Sequence, residues 1–139
     1  MVNARVKYQD GLQFIGEAAS GHAIVMDGPP EVGGGNTGMR PMELLLVGLG
    51  GCTGMDVVSI LKKKKQPLTG LEINIRGEKA EEHPQRYTGI EIEFIVKGRG
   101  LEDSAVKRAI DLSMEKYCSV KATVECSAKV STSYKIEEA

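Results

Sequence analysis

The stretch RPMELLLVGLGGCTGMDVV, Arg40 to Val58, constrains the fold more than any other part of the chain. Pro41 suits the first position of a helix, because the N–H it lacks would have no partner there. Glu43 falls in the first turn, where a carboxylate complements the positive end of the helix dipole. Lys62–Lys65 close the run at the end that favours cations, and Pro67 lies just beyond. Between these signals, Leu44–Leu61 places apolar residues on nearly every face, which predicts a central helix and not a surface one. Yet Gly48, Gly50, Gly51 and Gly54 interrupt it, each costing about 1 kcal/mol relative to alanine, and they surround Cys52. Missing side chains let another backbone or a ligand come close. Tight helix packing suffices for the glycines. It leaves open whether Cys52 is a small apolar core residue or a working thiol.

Around this helix the pattern is extended. VNARVKYQDGLQFIGEAA places two runs about an Asp10-Gly11 turn, a strong hairpin signal. GHAIVMDG reads as a third short strand, with His22 in it, and GPPEVGGGNTGM (Gly28–Met39) as a loop. After the helix, Leu71, Ile73 and Ile75 alternate with Glu72, Asn74 and Arg76. Ile90, Ile92, Phe94 and Val96 alternate with Glu91 and Glu93. Both runs predict half-buried antiparallel strands with one wet side. The polar segment EKAEEHPQRY joins them. LEDSAVKRAIDLSMEKYC reads as a second helix, since Val106, Ile110 and Met114 recur every four residues, with Ala109 and Leu112 widening the stripe. ATVECSAKVSTSYKI alternates again, with Val124, Cys126, Ala128 and Val130 on one side. The expectation is one α+β domain over residues 1–139, in the order βββ-α-ββ-α-β, with an antiparallel sheet against two helices.

Composition removes several function classes. Lys and Arg number 18 against 19 Asp and Glu, so the basic excess of a nucleic-acid footprint is missing. There is no Trp and only two Phe, too few for a stacking platform. The start, MVNARVKYQDG, alternates and carries charge early, unlike a secretory signal. Leu44–Ile60 is the best membrane candidate, but it holds Asp56 and four glycines and is short for a bilayer. The expected location is the cytoplasm, with no nucleic-acid or membrane partner. Three cysteines without CxxC or Cys/His spacing argue against a disulfide scaffold and a zinc site, and no cofactor or metal is expected. GGGNTG lacks the Gly-Lys-Ser/Thr ending of a phosphate loop and reads as a mobile flap. His22 and His83 have no partner that implies general-base work, and KKKK reads as a solvated helix end.

The chemistry of Cys52 depends on thiolate, since an unperturbed thiol titrates near ~8.5. Cys52 is too deep in the helix for the dipole to help. Asp56 is one turn on, on the same face, where its carboxylate opposes a thiolate. Arg40 is about 18 Å back along the axis at ~1.5 Å per residue, and Glu43 falls on roughly the opposite face. A cation must come from a bent helix start, the glycine-rich loop or a second subunit. That shortfall argues for a dimer whose sites lie between chains. Cys118, in KYCSV just after the second helix, is a second thiol that could meet Cys52 if the helices pack together. A peroxidatic thiolate and a resolving thiol would use that arrangement; two unrelated buried cysteines would also fit. Cys126 reads as a core residue of the last strand.

Helix start, small-residue turn, Cys52, two strands, a helix and Cys118 together resemble the OsmC/Ohr family of thiol-dependent hydroperoxide reductases. RPMELLLVGLGGCTGMDVV is similar to their central-helix motif, and CSVKATVE to the segment holding their second cysteine. The resemblance extends over nearly the whole chain. It implies an intertwined homodimer with two long central helices, sheets using strands from both chains, and two active sites at the interface. It implies Cys52 as the peroxidatic thiol and Cys118 as the resolving one. It also implies organic hydroperoxides as substrates and recycling by an external dithiol, in some members a lipoyl protein. The chain departs from the best-characterised members in two places. Met42 stands where they have a glutamate after the proline, and HAIVMDGPPEVGGGNTG has no arginine to pair with it. Arg40, with Glu43 orienting it, is the expected substitute, the other reading being that Arg40 only anchors the helix start. The RPMELLL…GGCTG form resembles a less characterised, YhfA-like branch. An alternative reading is therefore a non-catalytic module that binds a small apolar or thiol-reactive ligand in the interfacial pocket.

Overall fold

A computed structural model describes residues 1–138. The chain divides into two compact units, Met1–Leu45 and Leu46–Ala139. In the first, β1 (Ala4–Asp10), β2 (Gln13–Ala18) and β3 (Ala23–Met26) form an antiparallel meander. The Asp10-Gly11 turn is where the sequence predicts it. Gly11 takes a φ of +54°, which glycine reaches without a steric cost. Tyr8 pairs with Phe14 across the hairpin, their rings 5.5 Å apart. Val6, Tyr8, Ile24 and Val25 are all exposed in the single chain. His22 falls just before β3, not in it.

In the same unit the glycine-rich loop is built on a residue that the sequence pattern does not single out. Asp27, only 3% exposed, accepts hydrogen bonds from the backbone N–H groups of Gly28, Gly35 and Thr37 and from the Thr37 hydroxyl. A short 3-10 turn, Pro30–Val32, sits inside the loop. The segment expected to be a mobile flap thus has a charged anchor. Gly34 and Gly38 are required by close approach: an added Cβ would lie 2.0 Å from the Gly28 carbonyl oxygen and 2.3 Å from that of Val25.

The long helix α1 spans Pro41–Lys63, with Glu43 in its first turn and Lys62 and Lys63 in its last. By length and composition alone it could cross a membrane. It is instead two-sided. Leu49, Thr53, Val57 and Leu61, four residues apart, are fully buried, while Val47 and Met55 are 52% and 75% exposed. The all-round apolar pattern predicted a helix buried on every side, and the single chain buries only one.

In the second unit, β4 (Gly70–Lys79) and β5 (Tyr87–Lys97) pair antiparallel, and β6 (Lys129–Glu137) joins β5 in parallel. The sheet is therefore mixed, with the expected antiparallel pairing confined to β4–β5. Parallel neighbours need a crossover, and the chain from β5 to β6 supplies it. Ile90, Ile92, Phe94 and Val96 are at most 2% exposed, and across the other face Arg76 bonds Glu91 at 2.5 Å. The crossover holds α2 (Asp103–Leu112), a π-turn (Ser113–Tyr117) and α3 (Ser119–Val124). Two expectations fail here. The second helix stops being α-helical at Ser113, and the alternation through Val124–Ala128 is not a strand. Ser119–Val124 is helical, and Cys126 lies in the following turn, exposed and not in the core. A short helix with alternating polarity and a strand look alike over six residues.

Candidate functional site

The four glycines of α1 divide by face. An added Cβ at Gly50 would stand 2.7 Å from Cδ1 of Ile75, and at Gly54 3.0 Å from Cδ1 of Ile73. These two seat the helix on β4. Gly48 and Gly51 meet nothing within 4 Å. Cys52 is partly exposed.

Cys118 is brought to Cys52 by the π-turn. Its N–H donates to the Ser113 carbonyl at 2.8 Å, the five-residue reach that distinguishes a π-turn from an α-helix. Its sulfur caps α3, accepting the Lys121 N–H at 3.4 Å. Lys121 itself pairs with Glu125 at 2.5 Å. Cys118 is 4% exposed, and its thiol lies within electrostatic reach of that of Cys52. Burial pushes the Cys118 thiol above the ordinary range. The neighbouring Cys52 thiol and the Asp56 carboxylate push the same way, against the Lys121 N–H. Cys118 thus stays protonated at neutral pH. The two thiols named in the sequence, 66 residues apart, lie close enough for Cys52 to raise the Cys118 titration.

Beside them runs a buried hydroxyl chain. Ser113 Oγ donates to Asp56 Oδ2 at 2.8 Å and lies 2.7 Å from Thr53 Oγ1. Ser113 has one hydroxyl hydrogen, so with Asp56 ionised the order is Thr53 to Ser113 to Asp56. Thr53 and Ser113 are fully buried. Sequence reading placed Asp56 on the thiol's face but missed Ser113 and Thr53. A hydroxyl in a helix gives no periodic signal, and its partner is 60 residues away.

Arg40 and Glu43 belong to the first unit. Glu43 Oε1 accepts the Arg40 backbone N–H at 2.8 Å, one half of a capping box at the start of α1. The guanidinium is held elsewhere: Nη1 donates to Asn36 Oδ1 at 2.7 Å and to the Gly38 carbonyl at 3.1 Å. Glu43 thus bonds the Arg40 backbone at the helix start, while Nη1 of the Arg40 guanidinium bonds the loop. Among the described residues no group of three or more His, Cys, Asp or Glu comes together to hold a metal ion.

A family model described as OsmC-like protein matches residues 33–133. Protein YhfA of Escherichia coli K12 is 47% identical over 135 residues, covering 97% of this chain and 98% of that protein. A hypothetical protein of Aquifex aeolicus VF5 has a solved structure that matches with a TM-score of 0.88 and 34% identity, over 100% of this chain and 98% of that one. An organic hydroperoxide resistance protein, OsmC, of Legionella pneumophila matches in fold, with a TM-score of 0.72 at 15% identity over 97% and 96% of the two chains.

Proposed function

The chain belongs to the OsmC-like protein family, and we propose that within it this protein is a cytoplasmic thiol peroxidase that reduces organic hydroperoxides. What supports this reading is the proximity of Cys52 to Cys118 across 66 residues of sequence, close enough for one to raise the other's titration, with one thiol partly exposed and the other buried. The Cys52 thiolate attacks the terminal oxygen of the O–O bond. That bond breaks, Cys52 becomes a sulfenic acid, and the alkoxide takes a proton from solvent to leave as an alcohol. The Cys118 sulfur then attacks the Cys52 sulfur. Its proton and the sulfenic hydroxyl leave as water, and a disulfide remains. An external dithiol returns both residues to thiols by exchange. Burial of Cys118 suits the resolving role, since it keeps the second thiol away from peroxide until the first is oxidised.

The working form in this proposal is a homodimer. Support comes from the exposed side of α1, where Val47 and Met55 flank Gly48 and Gly51, and from the exposed apolar residues of β1 and β3. Arg40 is the cation assigned to the Cys52 thiolate, and Glu43 holds the helix start from which it projects. Cys52→Ser is expected to abolish turnover of cumene hydroperoxide. One equivalent of hydroperoxide followed by non-reducing peptide mapping is expected to give a Cys52–Cys118 linkage. Equal turnover by wild type and Cys52→Ser would overturn the proposal.

A second reading, a binding module for a small apolar or thiol-reactive ligand, is favoured by one observation. Glu43 and the Arg40 Nη1 are both occupied at the helix start and loop, and Met42 stands where characterised relatives carry glutamate. Alkylation of Cys52 measured against pH separates the two. A profile like that of a free thiol favours binding, and reaction persisting well below it favours catalysis.

A further inference from the structure

We infer that Ser113 is a positioning residue that sets the Cys52–Cys118 contact, using its carbonyl for one thiol and its hydroxyl for the other. The carbonyl accepts the Cys118 N–H at 2.8 Å. The hydroxyl is tied to Thr53, the neighbour of Cys52, at 2.7 Å, and to Asp56, one turn further along α1, at 2.8 Å. No other described residue bonds both the backbone of Cys118 and the segment of α1 that carries Cys52. Ser113 touches neither sulfur in these bonds, so it acts through the segments it joins.

The physical case rests on geometry and burial. A disulfide requires its Cβ atoms about 3.5–4.5 Å apart in a narrow range of torsions. Two helical segments joined only by apolar packing can slide by more than that tolerance allows. The Thr53–Ser113 bond, between fully buried hydroxyls, resists sliding, because breaking it leaves a polar group with no water to replace its partner. The π-turn contributes the same constraint from the other side. Its wider bond aims the Ser113 carbonyl at Cys118, while the Ser113 side chain faces α1. π-turns inside helices occur frequently at functional sites, and here the turn is what allows one residue to hold both segments.

The inference rests on the reading that Cys52 and Cys118 close a disulfide, but not on peroxide as the oxidant. The test is therefore run without peroxide. Wild type, Ser113→Ala, Ser113→Thr and Thr53→Val are equilibrated in dithiothreitol redox buffers, and the fraction of Cys52–Cys118 disulfide is read by alkylation and mass. Ser113→Ala is expected to lower the effective concentration of one thiol at the other at least tenfold, raising the potential of the pair by about 30 mV. Ser113→Thr, which keeps the hydroxyl, is expected to restore it to within about threefold, and Thr53→Val to show an intermediate loss. Val106→Ala, a core truncation elsewhere in the second unit, is expected to lower stability without moving the potential. Should Ser113→Ala fail to fold, Thr53→Val decides. Effective concentrations in folded Ser113→Ala and Thr53→Val within twofold of wild type would overturn the inference. So would a wild-type pair that never oxidises. A pair that oxidises with the expected variant series in a protein that leaves hydroperoxides intact would sustain this inference and defeat only the peroxidase reading.

Discussion

Gly51→Ala tests whether the open side of α1 is covered in the working protein. In the single chain, a Cβ at Gly51 meets nothing within 4 Å. A methyl there would stabilise an isolated chain by about 1 kcal/mol through helix propensity alone. If the same face packs against a partner's α1, each dimer gains two symmetry-related methyls in a closed contact. Overpacking costs about 1 kcal/mol per site at the low end. The sum, about 2 kcal/mol, weakens the dimer roughly thirtyfold at ~1.4 kcal/mol per tenfold. Sedimentation velocity over a hundredfold range of concentration reads this directly. Gly50→Ala is the internal contrast. Its Cβ would stand 2.7 Å from Ile75 inside one chain, so it is expected to lower stability without a specific effect on association. A Gly51→Ala protein with an unchanged dimer constant and a higher melting temperature would refute the interface reasoning.

Other outcomes are expected from residues already described. Asp27→Asn should speed amide exchange at Gly35 and Thr37 and leave α1 unaffected, measured by hydrogen exchange with peptide or NMR readout. Hydrogen bonds from Thr37 and the loop backbone hold the Asp27 carboxyl down at about 2. Its contribution to folding should therefore be complete above ~4, where an unfolded aspartate is ionised, and fade as pH falls through about 2. The Gly35 and Thr37 amide shifts of wild type should report that titration. The raised Cys118 titration works in the opposite direction. Stability should hold below ~8.5 and decline as pH rises toward the folded thiol's own titration, and Cys52→Ser should make that decline smaller and end it at a lower pH. Cys126→Ser should change stability by less than about 0.5 kcal/mol and leave the thiol pair unchanged, as expected for an exposed turn residue.

Much of this fold could be read from local chemistry. Proline at the helix start, lysines at its end, a glycine turn and two cleanly alternating strands each announce themselves within ten residues. The alternation misled at Val124–Ala128, where a six-residue helix and its turn share the pattern of a strand. The parallel partnership of β6 was not legible either, because pairing direction depends on where the crossover returns and not on side-chain alternation. The thiol pair was legible as two cysteines near helices. Its support was not: Ser113 looks like any polar residue in an amphipathic helix until the π-turn rotates it toward α1. Arg40 and Glu43 show the converse case, charged residues whose pattern suggests a pair but whose bonds go to backbone and loop.

The long stretch of chain between the two sulfurs has a consequence for durability. A bond between Cys52 and Cys118 would close a loop of 66 residues, and confining a loop of that size in the unfolded chain is worth about 4 kcal/mol. The oxidised protein would then be the sturdier of the two forms, resisting heat and proteases at the moment oxidants are abundant. Whatever reduces it must act on the folded, hardened state, and each return to the thiol form would soften the molecule again.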